Sequence, residues 1–393
     1  MALKTPSVLL LAIPLSAFSV ACGGGDSSNT GAQTGANTGI AAGHADACKT
    51  PIHSGYPGDD LCIDPPPAAE GFQLHFGPAD YDNPDEVAKY VLAPGAEAVK
   101  CVYLHTPNTD LKYYAEYHSR MRSGTHHMIL WAPTADNHDK VTPPADGTLT
   151  DSCRDLTYTF ALGAQSALGA AGGVLDVPLP GKNAVAPENE GLAYQELPTT
   201  SVAMETHYIN TTPNPILREV WLNINYEDAS LVKTKIDSVF FIGGLGMNVL
   251  PHTQQNITAG PAQQPVVPAG QQVRVLGLSG HVHAHTTHET VWLNHASGGK
   301  DVIYDTYNWQ DPIIAEYDTA HKNPAPGASP GADGAATGDL ILQTGDTISW
   351  QCDVNNTTDA ALKFADLAYT AEMCNVFGFF IPGTGGEWAS LNP

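Results

Sequence analysis

Two segments in the middle of the chain alternate between apolar and polar residues with a period of two. In Ser201–Asn210, the residues Val202, Met204 and Tyr208 share one face, and Glu219–Tyr226 alternates in the same way. A period of two is typical of a β-strand with one face against a core, so both segments are predicted to be strands. Shorter strand-like runs, each bounded by Gly, Pro or Asn, are Val273–Leu278, Thr290–Leu293 and Thr347–Gln351.

Helical periodicity is scarce elsewhere, and turn-forming residues are abundant. The 393 residues include 38 Gly and 30 Pro, a usage that favours many short strands over long helices. Two stretches rich in Gly, Ala and Pro, 163–191 and 322–338, are predicted to be long surface loops. The pattern predicts an all-β protein of β-sandwich architecture, with two domains that meet near residue 228.

The N-terminus has the features of an export signal. Lys4 precedes the apolar run Val8–Ala21, which is too short to span a membrane comfortably. The run ends in the sequence SVAC at 19–22, which resembles a bacterial lipoprotein box with Cys22 as the lipidated residue. The alternative is an ordinary signal peptide that is cleaved near Ala21.

These boundaries divide the chain into four regions. The stretch that follows Cys22 is made of Gly, Ser, Asn, Thr and Ala, which is typical of a flexible tether. We expect an exported lipoprotein at the outer membrane, in the periplasm or at the cell surface, in contact with the membrane only through its lipid. The regions are a signal peptide at 1–22, a tether and N-terminal segment at 23–65, and domains at 66–228 and 229–393.

Cysteine usage agrees with export. Of the seven cysteines, Cys22 is assigned to the lipid, and an even remainder of six in an exported chain predicts a disulfide framework. The absence of any C-x-x-C pair argues against a thiolate zinc site or a thioredoxin-like redox site.

The charge balance excludes one class of partner and favours another. The chain has 41 acidic and 17 basic residues and a formal net charge of −24, so it cannot neutralise a row of phosphates and is not expected to bind nucleic acid. The acidic surface disfavours anionic substrates and favours neutral or cationic ones.

Three histidine-bearing segments are candidates for metal binding among 16 His in total. His126 and His127 are adjacent, so they can share a metal only at a strand end or at a bulge. His207 is a single histidine on a predicted strand face. His281 and His283 are two residues apart and project from one face of a strand, as ligands of one metal require. Taken singly, each segment also fits a structural histidine.

Read together with a fourth segment, these residues resemble a known family. Their order is similar to that in the copper type II, ascorbate-dependent monooxygenases, the family of peptidylglycine α-hydroxylating monooxygenase and dopamine β-hydroxylase. The four motifs are His126-His127-Met128-Ile129-Leu130, His207-Tyr208, His281-Val282-His283 and Glu372-Met373-Cys374-Asn375. The similarity extends to VKCVYLHTP at 99–107 and GDTISWQCDVN at 345–355, and covers about residues 70 to 382.

The resemblance implies two copper ions per chain, one in each of two jelly-roll-like β-sandwich domains that face each other across a solvent-filled cleft. His126, His127 and His207 would bind copper in the N-terminal domain. His281, His283 and Met373 would bind copper in the C-terminal domain, where the family binds O2 and hydroxylates a C–H bond. The all-histidine copper would store an electron, and ascorbate or an equivalent donor would reduce both ions. The soft thioether favours Cu(I).

The resemblance also implies a disulfide pairing and leaves one alternative open. Cys352 would pair with Cys374 and Cys101 with Cys153, which leaves Cys48 with Cys62. In the third histidine motif, a shift by two residues would make His283 and His285 the ligands. We prefer His281 and His283, because the apolar run that precedes them then forms the lead-in strand.

Two departures from the family limit the substrate. The peptide-amidating members have an Arg two residues before the His-x-His, where this chain has Ser279. They have a Tyr four residues after the Met, where this chain has Phe377, whereas Asn375 matches. Ser cannot replace a bidentate Arg clamp on a carboxylate, so a peptidylglycine substrate is not expected.

Three hypotheses about function come from different classes. The leading one is a copper monooxygenase that hydroxylates a small, neutral or cationic organic molecule, with His281, His283 and Met373 as the catalytic set. The alternative is a copper-binding or copper-handling lipoprotein without turnover. The third is a sandwich adhesin with incidental histidines, which would bind no metal.

Overall fold

The computed structural model describes residues 48–133, 144–151, 153, 164–171, 174–178, 191–196, 200–259, 267, 269–310, 312–319, 321–326 and 337–382. All of these residues belong to one compact unit, Ala36–Pro393. The predicted signal peptide, Cys22 and the glycine-rich tether lie outside the described residues. No helix in the described part of the chain is long and apolar enough to cross a membrane.

The described residues are almost entirely strands, as the sequence pattern predicts. They contain one short α-helix, α1 (Pro84–Ala88), and one 3-10 helix (Asp59–Leu61). The strands are β1 (Gly71–Phe76), β2 (Val91–Leu92), β3 (Glu97–His105), β4 (Lys112–Met121), β5 (Thr125–Pro133), β6 (Leu149–Thr150), β7 (Ala164–Ala171), β8 (Val174–Pro178), β9 (Leu192–Glu196), β10 (Ser201–Ile209), β11 (Ile216–Leu217), β12 (Val220–Glu227), β13 (Thr234–Lys235), β14 (Asp237–Gly243), β15 (Asn248–Val249), β16 (Thr253–Ala259), β17 (Gln272–Val282), β18 (Thr286–Asn294), β19 (Lys300–Thr306), β20 (Ile314–Glu316), β21 (Leu340–Gln343), β22 (Thr347–Asn356), β23 (Leu362–Lys363) and β24 (Cys374–Ile381).

Most sheets contain strands from only one side of the predicted boundary at residue 228. On the N-terminal side, β1-β12-β4-β9, with β8 beside β4, form one sheet, and β6-β3-β10-β5-β7 form a second. On the C-terminal side, β14-β24-β17-β20, with β21 beside β17, form a third, and β16-β22-β18-β19 form a fourth. Two-stranded pairs are β11-β2 and β15-β23, and among the described strands only β13 pairs across residue 228, because it adds to the first sheet beside β9.

One predicted loop is wrong in part. The stretch 163–191 contains β7, which pairs with β5, and β8, which pairs with β4. Its Gly and Ala content indicated turns, but backbone pairing with the edges of two sheets supplies hydrogen bonds that do not depend on side-chain type. Local propensity was therefore overridden by the tertiary structure.

The alternation predicted for Ser201–Ile209 is confirmed and decides where the candidate ligands lie. Val202, Met204 and Tyr208 enter the core of the N-terminal half. Ala203 instead joins a second apolar cluster on the opposite face of the same sheet. His207 has the parity of Ala203, so it also lies on that outer face.

This outer face packs directly against the C-terminal half. Tyr103, Ile129 and Trp131 of the N-terminal sheet cluster with Ile242 of β14 and with Phe377 of β24. Leu276 and Phe379 of the C-terminal half extend into the N-terminal core as well. The halves therefore meet through an apolar contact, and the expected solvent-filled cleft is not confirmed here.

The three disulfides are the predicted ones. Cys352 on β22 pairs with Cys374 on β24, and Cys101 on β3 pairs with Cys153. The remaining pair is Cys48–Cys62, in the segment that precedes β1. The first bridge joins the third and fourth sheets next to Met373, because Cys374 follows that residue.

A buried ion network fastens the N-terminal segment to the first sheet. Arg122 is 1% exposed and donates to Glu219 at 2.7 Å and to Asp59 at 2.7 Å. A further N–H of Arg122 donates to the carbonyl of Pro57 at 2.8 Å. Glu219 is fully buried and also accepts from the Tyr81 hydroxyl. The network gives the buried guanidinium and carboxylate the partners that buried charges require.

We expect Arg122→Met to lower the free energy of unfolding by about 3–5 kcal/mol, because Glu219 would remain as an uncompensated buried charge. The matched control is Lys89→Met, which removes an exposed ion pair with Glu86 and should cost about 1 kcal/mol or less. Urea denaturation of both variants measures the difference. Equal effects of the two substitutions would contradict the role given to the network.

Candidate metal centre

A β-bulge brings the adjacent histidines to one side of the sheet. His127 pairs with His207 across β5 and β10, but the next pair is Thr125 with Tyr208. His126 is therefore the extra residue of the bulge, and it escapes the strict alternation that would turn it to the opposite face. The prediction that the two histidines meet only at a strand end or a bulge is confirmed.

The three histidines of the N-terminal half form a compact group. The ring centroids of His126 and His127 are 5.1 Å apart, those of His126 and His207 are 5.2 Å apart, and those of His127 and His207 are 5.1 Å apart. One nitrogen from each ring lies within 4.8 Å of the others, a spacing at which three imidazoles could hold a metal ion. Neutral imidazoles in such a set are ligands for copper or zinc.

Glu97 orients the most buried of these rings. It lies on β3, diagonal to His207 across the strand pair, and its Oε1 is 2.7 Å from His207 Nε2. The Nδ1 atoms of His207 and His127 are buried and have no hydrogen-bond partner among the described residues. Since Glu97 engages Nε2, the nitrogen of His207 that faces the group is Nδ1, and the carboxylate would fix the ligating tautomer.

The electrostatic environment keeps the imidazoles in their metal-binding form. Burial lowers the pKa of His126 to about 4, with a further contribution from His207. Burial, together with the neighbouring His281 and His126 rings, holds the pKa of His127 well below its usual range. Burial alone would raise the pKa of Glu97, but hydrogen bonds from His207 and from the Ala368 N–H leave it lowered. The neutral rings of His126 and His127 therefore lie near one charged carboxylate.

The second predicted set lies on the facing sheet. His281 pairs with Asn375 and Val282 pairs with Cys374 across β17 and β24. Continuing this register places His283 opposite Met373, and residues two apart share a face. His281, His283 and Met373 therefore lie on the same side, and Asn375 Nδ2 donates to Met373 Sδ at 3.3 Å. The rings of His281 and His283 are 6.0 Å apart.

His285 is engaged elsewhere. Its Nε2 is 2.9 Å from the carbonyl oxygen of Tyr369, and it lies beyond the end of β17. The alternative pair of His283 and His285 therefore has less support than the pair of His281 and His283.

The two predicted sets form one continuous cluster of rings. His127 of the first set lies 4.7 Å from His281 of the second, measured between ring centroids. His207 lies 6.0 Å from His283 by the same measure. All five rings lie at the contact between the facing sheets. The two sets are therefore closer together than the cleft-separated sites that the family resemblance implies.

Two features of the site were not found from the sequence. Glu97 belongs to none of the four motifs. It lies on the same strand as Cys101, and strand alternation would have placed its side chain on the face of the ligands. Trp309 follows β19, and its ring lies 5.6 Å from His126 and 5.7 Å from Tyr369. It reaches His126 from the other half of the chain, a contact that no local pattern encodes.

A second group with metal-binding side chains lies outside this cluster. Glu316, Asp318 and His321 each offer a ligand atom within 4.8 Å of the others. His321 Nε2 is 2.6 Å from Glu316 and its Nδ1 is 2.7 Å from Asp318. Contacts of the His321 ring with these two carboxylates account for the arrangement without a metal.

Comparisons with known proteins add no assignment. No family model matches the chain, and no curated protein matches it. A solved structure, the major capsid protein P2 from Bacteriophage PM2, is similar over 79% of this chain and 97% of that one, at 9% identity and a TM-score of 0.24. A similarity this weak carries no argument about fold or function.

We expect Glu97→Gln to weaken copper binding to the three histidines by about 10- to 100-fold, because the ring of His207 loses its orienting carboxylate. Competition with a chromogenic chelator measures the affinity. The control is Glu116→Gln, since Glu116 also contacts a histidine, His118, at 2.9 Å but belongs to neither ligand set. Unchanged affinity in Glu97→Gln would show that Glu97 does not act on the metal.

Proposed function

We propose that this protein is a copper-dependent monooxygenase that hydroxylates a C–H bond of a small organic substrate with O2 and a one-electron reductant such as ascorbate. The proposal includes membership of the copper type II, ascorbate-dependent family. The observation that carries it is the convergence of five histidines, from three strands, β5, β10 and the end of β17, on one contact between sheets. Extension of the register between β17 and β24 places Met373 beside them.

The residues present fit copper. His127 and His207 have buried Nδ1 atoms without a partner among the described residues, and a buried polar atom of this kind is costly unless something binds it. His126 completes an all-nitrogen set. His281, His283 and Met373 supply two nitrogens and a soft sulfur, which suits Cu(I).

Copper, when bound, would supply the one-electron chemistry that activates O2. The chain's own residues would provide two different environments for it. Met373, which is 3% exposed, would give one set a preference for the reduced ion, and the Asn375 amide that donates to its sulfur would hold the thioether in place. A storage protein has no need for two unlike sets, and this difference favours an enzyme over storage.

The surroundings of Ser279 support a neutral or cationic substrate. Ser279 pairs with Ile314 on one side and with Phe377 on the other. None of these three side chains can form the bidentate clamp on a carboxylate that an Arg would supply. The net charge of −24 adds a long-range preference against anions.

We also propose the finer architecture that the pattern and the resemblance suggest, namely two jelly-roll-like β-sandwich domains at 66–228 and 229–393. Support comes from the described sheets, in which only β13 pairs across residue 228, and from largely separate apolar cores. Export as a lipoprotein through Cys22 is part of the same proposal.

A second candidate is a copper-handling lipoprotein without turnover. The direct ring contact of His127 with His281 favours this second candidate, because five imidazoles in one cluster could retain copper without admitting a substrate. Oxygen consumption that requires both copper and reductant separates the two, and mass spectrometry for a gain of one oxygen atom then identifies the substrate from a panel of small molecules.

The exported part of the chain should bind two copper ions per chain. His126→Ala and His283→Ala should each remove one ion, because each removes a ligand from a different set. His285→Ala is the control and should retain both, since the His285 ring contacts the Tyr369 carbonyl. Metal analysis after dialysis measures the stoichiometry. A single copper in the unaltered protein at saturating metal would refute the two-site proposal.

Met373→Ile should abolish or severely reduce hydroxylation while the protein stays folded. Ile approximates the volume of Met, so repacking should cost only about 1 kcal/mol, but the soft sulfur is lost. Product formation is measured beside copper content and melting temperature, and the all-histidine ion should remain bound. The control is Met247→Ile, a buried methionine in the core of the same half, which should keep its activity. Wild-type turnover by a folded Met373→Ile protein would make Met373 a core residue only.

A further inference from the structure

Glu372 has no part in the copper chemistry described above, yet its carboxylate contacts the backbone of the second ligand set (His281, His283 and Met373). It is fully buried. Its Oε1 accepts hydrogen bonds from the backbone N–H of His283 at 2.6 Å and from that of Met373 at 2.8 Å. Its Oε2 accepts from the backbone N–H of His285 at 3.1 Å.

The position of these three N–H groups explains why a carboxylate is needed. The ladder between β17 and β24 ends with the pair of Val282 and Cys374. His283 is therefore one residue past the end of β17, and Met373 is one residue before the start of β24. Both residues lie outside the ladder between these strands, and their N–H groups are satisfied by Glu372 instead, as buried backbone donors require.

The same contacts satisfy the carboxylate. A buried carboxylate is strongly destabilising unless hydrogen bonds compensate it, and three backbone donors offset part of that cost here. Hydrogen bonds to an ionised acceptor are shorter and stronger than those between neutral groups. One side chain thus joins the turn that follows β17 to the segment that precedes β24.

We propose that Glu372 is the positioning residue of the second copper set, and that its carboxylate replaces the missing ladder bonds and holds His283 and Met373 at ligand spacing. The inference rests on the proposed function for the identity of the metal, but the backbone clamp itself can be measured without any metal. Because Glu372 touches backbone atoms and no reacting group, it is not assigned a catalytic role.

The first test is hydrogen exchange of the metal-free protein. Glu372→Gln keeps one acceptor oxygen, without its charge, and replaces the other with an amide NH2 that cannot accept. The amides that lose their acceptor, either that of His285 or those of His283 and Met373, should therefore exchange at least tenfold faster. The control is Glu289→Gln. Glu289 is equally buried and lies in the same half, but neither of its oxygens has a hydrogen-bond partner among the described residues, so these amides should keep their protection.

The second test is titration with copper. Glu372→Gln should bind the ion of the three-histidine set with unchanged affinity and the other ion about 10- to 100-fold more weakly. X-ray absorption of the reduced protein should show the copper–sulfur signal diminished in Glu372→Gln and intact in Glu289→Gln. If Glu372 had a purely structural role, Glu372→Gln would lower the melting temperature without this selective loss of copper affinity.

The outcomes separate the two proposals. Unchanged exchange and unchanged affinity for both ions in a folded Glu372→Gln protein would overturn the positioning role. If Glu372→Gln does not fold, Glu372→Asp is tested instead, because Asp keeps the charge but is too short to reach all three donors. Full protection of the three amides from exchange in Glu372→Asp would also overturn the positioning role. Wild-type protein that binds fewer than two copper ions would overturn the proposed function and leave the exchange result as it stands.

Discussion

The contact between the outer face of the β3-β10-β5 sheet and the β14-β24-β17 sheet decides where every candidate ligand lies. Apolar residues drive this contact, including Ile129 and Trp131 on one side and Ile242 and Phe377 on the other. Burial of their side chains removes apolar surface from water and makes the contact favourable. His127 and His207 share parity with the first pair, and His281 shares parity with Phe377, so the packing that joins the halves also gathers the histidines.

Two carboxylates, the partly buried Glu97 and the fully buried Glu372, connect the ligand sets to this contact. Glu97 accepts from His207 Nε2 and from the Ala368 N–H. Ala368 in turn accepts, through its carbonyl, from the N–H of Ala284, which lies between His283 and His285. Glu372 then holds the turn around His283 from the other side. The segment from Ala368 to Met373 therefore joins a partner of the first set to the backbone of the second.

A cluster of buried imidazoles has a cost that a bound metal offsets. Burial lowers the pKa of His126 to about 4, which means that this ring remains neutral at physiological pH. Neutral rings with buried nitrogens are unfavourable without a partner. In the proposed function a bound metal would supply that partner, and its binding free energy would add to the stability of the folded state.

The sequence by itself determined the all-β class, the positions of several strands and the identities of the candidate ligands. Alternation in Ser201–Asn210 assigned His207 to one face because side-chain direction in a strand follows from backbone geometry alone. The adjacency of His126 and His127 required a strand end or a bulge for the same reason, and the bulge is present. The cysteine pairs came from the family resemblance and match the structure.

Only the tertiary structure decided how these parts meet. Within the 163–191 stretch, Ala164–Ala171 and Val174–Pro178 form strands because sheet edges offered hydrogen bonds that their composition did not indicate. The direct contact of His127 with His281 depends on how two sheets pack, and residues more than 150 positions apart leave no local trace of that packing. Glu97 and Trp309 join the site for the same reason. Local periodicity fixes the face on which a side chain lies, whereas its partner is set by long-range burial.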